Sequence, residues 1–181
     1  MTFESDLPQA SHLSKFVDQI HEGVTLNEAL AQLALFIEKN IKSPVDIFAS
    51  ILLLDESGQC LYRGAAPSLP DTYNKAIDGI KIGPNVGSCG TAVYSGHSIF
   101  VVDIENDALW ADYKDFALAH GLRACWSVPI FGKSKGILGT FALYYGRVRN
   151  PSLRERQFIE DCAGAAAKLI EKSFEPEYKT A

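Results

Sequence analysis

Gly83-Pro84-Asn85-Val86-Gly87-Ser88-Cys89-Gly90-Thr91-Ala92-Val93-Tyr94-Ser95-Gly96 is the stretch that decides how this chain is read. A glycine-rich turn, where the backbone needs conformational freedom, runs straight into a short helix. Downstream, residues 99–104 read as a strand and Leu109-Trp110-Ala111-Asp112-Tyr113 as an aromatic-acidic stretch. Residues 113–120 read as a helix stopped by Gly121. Two apolar runs, 123–131 and 136–145, then flank Gly132-Lys133-Ser134-Lys135 and predict a hairpin.

Upstream, residues 11–22 and 26–41 read as helices. In the second, Leu26, Leu30, Leu33, Ala34, Phe36, Ile37 and Ile41 recur at three- and four-residue steps and define one apolar face. Thr25 with Glu28 forms a capping box at its start, and Ser43-Pro44 ends it. Residues 45–54 and 59–65 flank the turn Asp55-Glu56-Ser57-Gly58, a first hairpin. A short helix falls within 67–76 and a short strand at 80–82. The last element, 152–174, is a long helix capped by Ser152 and Glu155. Its apolar stripe runs through Phe158, Ile159, Cys162, Ala163, Ala166, Leu169, Ile170 and Phe174. Helices, hairpin, irregular middle, hairpin and helix make an α+β chain. Its antiparallel sheet is expected to carry the terminal helices on one face and the middle segment on the other.

The 181 residues fit one domain. A hydrophobic content of 47% with 22% charged residues argues against disorder. The net charge of −5 disfavours nucleic acid, and the basic cluster Arg147, Arg149, Arg154 and Arg156 is followed closely by acidic residues. No stretch approaches the ~18 apolar residues of a membrane span, and residues 1–8 lack the basic and apolar regions of a signal peptide. A cytoplasmic location without membrane contact is the expectation. Cys60, Cys89, Cys125 and Cys162 are far apart, so they read as reduced thiols and not as a disulfide framework or a zinc site.

In their order and spacing, the quoted segments from Gly83 to Gly139-Thr140-Phe141-Ala142-Leu143-Tyr144-Tyr145 closely resemble GAF domains, the small-molecule sensing modules of bacterial signalling proteins. The resemblance spans residues 25–172, with most of its specificity in 83–145. It implies a GAF-like, PAS-related α+β fold with a central antiparallel sheet of about six strands. Terminal helices would cover one face, and a ligand pocket would lie under residues 84–120 on the other. The implied organisation is an N-terminal segment with a helix (1–24), the GAF domain (25–174) and a polar tail (175–181). The implied function is non-catalytic: a regulatory module binds a small molecule, and its terminal helices pass the change to an output domain, a partner protein or a second copy in a homodimer.

Candidate ligand-binding residues follow from the chemistry. Ser88, Cys89 and Thr91 sit at a helix start, where backbone N–H groups without partners hold an anion and the Ser88 or Thr91 hydroxyl adds a donor. The alternative is that Ser88 simply caps the helix. Trp110 and Tyr113 suit an aromatic pocket wall, or else a cover for one end of the sheet. Strand alternation groups Arg123, Cys125 and Ser127 on one face and Ala124, Trp126 and Val128 on the other. With the sheet covered on both sides, the sequence leaves open which face meets a ligand. Arg123 suits a carboxylate or phosphate, or an ion pair with Asp112 or Asp115. Together these residues describe a small anionic or aromatic ligand, with the cofactor unknown. His97 and His120 are isolated; His120 reads as a partner for helix-end carbonyls, although one histidine suffices to hold haem.

Other GAF specialities are matched less well. Free methionine-(R)-sulfoxide reductases, a GAF-type family, carry a cysteine at the position of Cys89 in a Gly-Val-Cys-Gly-Thr motif. Their catalytic cysteine lies in a His-Ile-Ala-Cys-Asp segment, and the corresponding residues 108–113 contain none; Cys125 is displaced onto the next strand. A thiol-dependent reductase using Cys89 with Cys125 is therefore the enzyme alternative. Asp112-Tyr113 stands where bilin-binding members carry a Cys-His pair, and the cyclic-nucleotide pattern is absent after the second hairpin. The remaining alternative is a ligand-free dimerisation module.

Overall fold

The computed structural model describes residues 6–134 and 136–175. The turn residue Lys135 and nearly all of the polar tail lie outside the described residues. The sheet has six strands: β1 (Ile47–Leu54), β2 (Cys60–Ala65), β3 (Ile80–Lys81), β4 (Ile99–Val101), β5 (Ala124–Gly132) and β6 (Gly136–Tyr145). Their order is β3-β2-β1-β6-β5-β4, and every neighbouring pair is antiparallel. Both predicted hairpins are present, and β6 joins them by pairing with β1 and β5 together.

Alternation along the central strands separates two cores. Ile51, Phe141, Leu143, Ala124, Trp126 and Val128 face the terminal helices α1 (Ala10–Gln19), α2 (Leu26–Asn40) and α6 (Leu153–Ser173). There they meet Leu30, Leu33 and Ile37 of α2 and Phe158, Ile159, Ala166 and Ile170 of α6. Full burial of such side chains contributes about 1.5–3 kcal/mol each. Leu52, Ala142, Tyr144 and Cys125 face the opposite side, beneath α3 (Asp71–Ile77), α4 (Gly87–Ser95), the 3-10 turn Ala108–Trp110 and α5 (Lys114–Ala119). This is the predicted layering. The small residues of α6 are consumed within the chain: Ala163, Ala165, Ala166 and Ala167 all pack in the helical core.

The helix starts follow the capping rules read from the sequence. The Thr25 hydroxyl accepts from the Glu28 N–H while the Glu28 carboxylate accepts from the Thr25 N–H, and Ser152 with Glu155 repeats the arrangement. Ser152→Ala is expected to lower stability by about 1 kcal/mol, read as a shift of the urea midpoint at unchanged slope. Elsewhere boundaries move by a few residues. The first helix ends at Gln19 and the helix before Gly121 begins at Lys114.

Glu38 ties α2 to the sheet. Its carboxylate accepts from the Ala49 N–H at 2.7 Å and from the Ser68 hydroxyl at 2.5 Å. Burial holds this carboxyl above the ordinary carboxylate range, outweighing the opposite pull of those two hydrogen bonds. The folded chain then binds the proton more tightly than the unfolded chain. Glu38's contribution is therefore greatest below the ordinary carboxylate range and declines as pH rises through its raised value. Wild type is expected to lose stability relative to Glu38→Gln as pH rises from about 4 to about 7, measured by urea unfolding at stepped pH.

Candidate functional site

The second core holds a cavity of about 40 Å³ between the sheet and its cover. Its inner wall is made by Leu52 and Tyr144 from the sheet, Tyr73 from α3, Ser88 and Cys89 from α4, and Trp110 from the 3-10 turn, all but Leu52 bearing a polar or polarisable group. Its outer rim is half-buried or exposed: Ile77, Ile80, Val86, Tyr113 and Phe116. Among the described residues no charged side chain lines it.

Local sequence explains the approach of α4 to this cavity. Gly87 opens the helix at φ +55, and a Cβ there would stand 3.4 Å from the Trp110 ring. A side chain at that position is disfavoured by the left-handed conformation, while the indole lies at ordinary contact distance. Ser88 does not cap α4, correcting that alternative. Because the helix begins at Gly87 with Val86 before it, Ser88 points into the core. Its hydroxyl donates to the Cys125 carbonyl at 2.9 Å and accepts from the Trp110 indole N–H at 3.1 Å. One buried serine thus pins helix, strand and turn together. Thr91 turns back to accept from the Val86 N–H at 3.1 Å.

The aromatic groups form a connected wall. Tyr144 is edge-on to Tyr73, with centroids 5.7 Å apart, and to Trp110 at 6.4 Å. The two phenols are linked by a hydrogen bond of 3.4 Å, and burial pushes both above the ordinary phenol range. Tyr113 and Phe116 complete the rim.

Cys125 lies directly opposite Tyr144 in the β5–β6 register, so both face the cavity side of the sheet. Cys89 Sγ is 3.9 Å from the Tyr144 hydroxyl. A hydrogen bond from the Cys125 thiol holds Cys89 below its ordinary thiol range, while burial pushes Cys125 well above it.

The structure thus brings Ser88, Cys89, Trp110 and Tyr113 together at the cavity, with Cys125 in the layer beneath. It sets three other candidates apart. Ser127 is hydrogen-bonded to Thr140 at 2.5 Å inside the sheet, and Thr91 serves its own turn. Arg123 pairs with Glu105 at 2.9 Å and Asp103 at 3.9 Å, which corrects the expected ion pair with Asp112 or Asp115. The Ile104 N–H donates to the Arg123 carbonyl, and this carries the two acids flanking Ile104 to the guanidinium. His120 bonds the Phe116 carbonyl through Nδ1 and meets the Thr72 hydroxyl through Nε2. Among the described residues there is no cluster of metal-ligating side chains, and no helix is long and apolar enough to cross a membrane.

Tyr73 and Tyr144 were missed as cavity residues. Tyr144 had one available signal: it shares the strand face of Ala142, opposite Phe141 and Leu143. Tyr73 had none, since α3 comes from a segment remote in sequence.

Comparison with known proteins places this geometry in a family. The chain is 34% identical over 158 residues to the methyl sulfide methyltransferase-associated sensor of Methanosarcina acetivorans, covering 87% of this chain and 16% of that protein. It therefore spans a small part of that relative's length. Its fold is similar to the GAF domain of an Acinetobacter phosphoenolpyruvate-protein phosphotransferase, with TM-score 0.67, 15% identity and coverage of 90% and 92% of the two chains. It is also similar to the free methionine-R-sulfoxide reductase of Neisseria meningitidis in complex with its substrate, with TM-score 0.66, 16% identity and coverage of 89% and 87%. The GAF domain family model matches residues 23–171. With that match over most of its length, and with the six-stranded sheet and its two helical covers, this chain belongs to the GAF domain family.

Proposed function

We propose that this chain is a sensory module: a small molecule occupies the cavity over Tyr144, and its binding regulates a linked output domain or a partner signalling protein. The observation that carries this reading is the cavity itself, set between the sheet and the α3–α5 cover in a chain related to a sensor. Strand β6 offers the route outward. Tyr144 borders the cavity, while its neighbours Leu143 and Tyr145 pack in the core shared with α6. A guest shifts the terminal helices only if it favours one of their arrangements over another. The same reading places the module in the cytoplasm and joins two copies through the terminal helices, where Glu160, Gly164 and Lys168 face outward on α6.

Native mass spectrometry of gently purified protein, set against the denatured mass, tests the proposal. A releasable non-covalent adduct is expected on wild type and not on Ile77→Trp, which fills the half-buried rim. An adduct retained equally by both proteins would place the guest elsewhere and overturn the reading.

The presence of Cys89 and Cys125 in the same buried core favours a second reading, a thiol reductase. In it a sulfoxide would become a sulfide as the two thiols close to a disulfide, with the oxygen leaving as water. An amino-acid sulfoxide is a zwitterion, however, and among the described residues the cavity wall has no charged side chain to meet either end. Sulfoxide turnover that is lost in Cys89→Ser would establish this reading; none in wild type removes it.

A further inference from the structure

We infer that the cavity selects a compact, uncharged and largely apolar guest, a class set by its small size and its lining. This inference rests on the cavity being a ligand site and narrows what that site accepts.

Size comes first. The cavity volume is about 40 Å³, which makes this a small site. The space suits a compact guest better than a nucleotide or a tetrapyrrole.

Charge is decided by the lining. An ionised guest taken out of water needs an opposite charge or a full set of hydrogen bonds. Among the described residues no lysine, arginine, histidine, aspartate or glutamate borders the cavity, and Arg123 is engaged with Glu105 and Asp103 away from it. The buried polar groups are already committed to one another. Ser88 joins Trp110 to the Cys125 carbonyl, Tyr73 bonds Tyr144, and Cys89 contacts Tyr144. A strongly polar guest would have to break this network and strand buried groups without partners.

What the wall does offer is polarisable surface: the rings of Tyr73, Trp110 and Tyr144 and the Cys89 thiol. These reward dispersion and close shape fit. The first turn of α4 borders the same space, so a lone pair on the guest is best placed toward Gly87 and Ser88. Of the anionic and aromatic ligands that the sequence suggests, this lining favours the uncharged kind.

Amide and indole NMR shifts in the whole chain test this with isobutene and acetone as neutral probes and acetate as the anion. The neutral probes are expected to move the Trp110 indole and the Ser88 and Cys89 amides, and acetate to leave them unmoved at equal concentration. Ile77→Trp should weaken isobutene binding at least about tenfold. Should that variant fail to fold, Phe116→Ala opens the rim instead and is expected to admit benzene more tightly than wild type does. Shifts caused by acetate and not by the neutral probes would overturn the inference while leaving the ligand-site reading intact. No shift with any probe would overturn both.

Discussion

Gly139→Ala is expected to be the most damaging single-methyl change in this chain, lowering stability by at least about 3 kcal/mol. Gly139 lies in the middle of the sheet, opposite Leu53 of β1 and Ile130 of β5. A Cβ there would stand 2.0 Å from the Leu52 carbonyl oxygen, and backbone on both sides prevents an easy retreat. Relief requires β1 and β6 to separate where the two hairpins join. Total stabilities of ~5–15 kcal/mol make such a loss a large fraction of the whole. Gly164→Ala provides the contrast. Its Cβ meets nothing within 4 Å on the exposed side of α6, so a gain of about 0.5–1 kcal/mol from helix propensity is expected. Urea unfolding of both variants beside wild type reads the two effects with opposite signs.

Trp110→Ala is expected to cost about 3–5 kcal/mol, the range for removing a buried large aromatic. Trp110 is 3% exposed, stands edge-on to Tyr144 and donates its indole N–H to Ser88. Its loss opens the cavity wall and removes one of the two links that hold Ser88. Trp110→Phe keeps most of the ring and deletes the donor, so about 1 kcal/mol is expected. Thermal melts of the pair separate packing from hydrogen bonding. Equal losses in both would mean that the indole N–H, and not the ring, carries the contribution.

The architecture was legible wherever a signal was local. Thr25 with Glu28 and Ser152 with Glu155 announce helix starts within four residues, and both capping boxes form. Asp55 to Gly58 marks the first hairpin because the Asp55 carboxylate bonds the Gln59 and Cys60 N–H groups. The cavity was legible only in part. Trp110 and Tyr113 could be assigned to a pocket wall from their neighbourhood. The orientation of β5 could not be read, because it is buried on both faces from Ala124 to Ile130 and alternation leaves no polar side. The Tyr73–Tyr144 wall joins positions 71 residues apart, a pairing that only tertiary packing makes. Ser88 was ambiguous for a related reason. A serine beside a helix start is a good cap, and one residue of register turned it inward to Trp110.

Thermal denaturation against fractionated small-molecule extract, run in parallel on wild type and Ile77→Trp, tests the central claim most directly. A molecule that binds only the folded chain must raise its apparent stability. The account predicts at least one fraction that raises the melting temperature of wild type and leaves that of the filled-cavity variant unchanged. If no fraction moves wild type, or if every active fraction moves both proteins alike, the cavity over Tyr144 is not the sensing site.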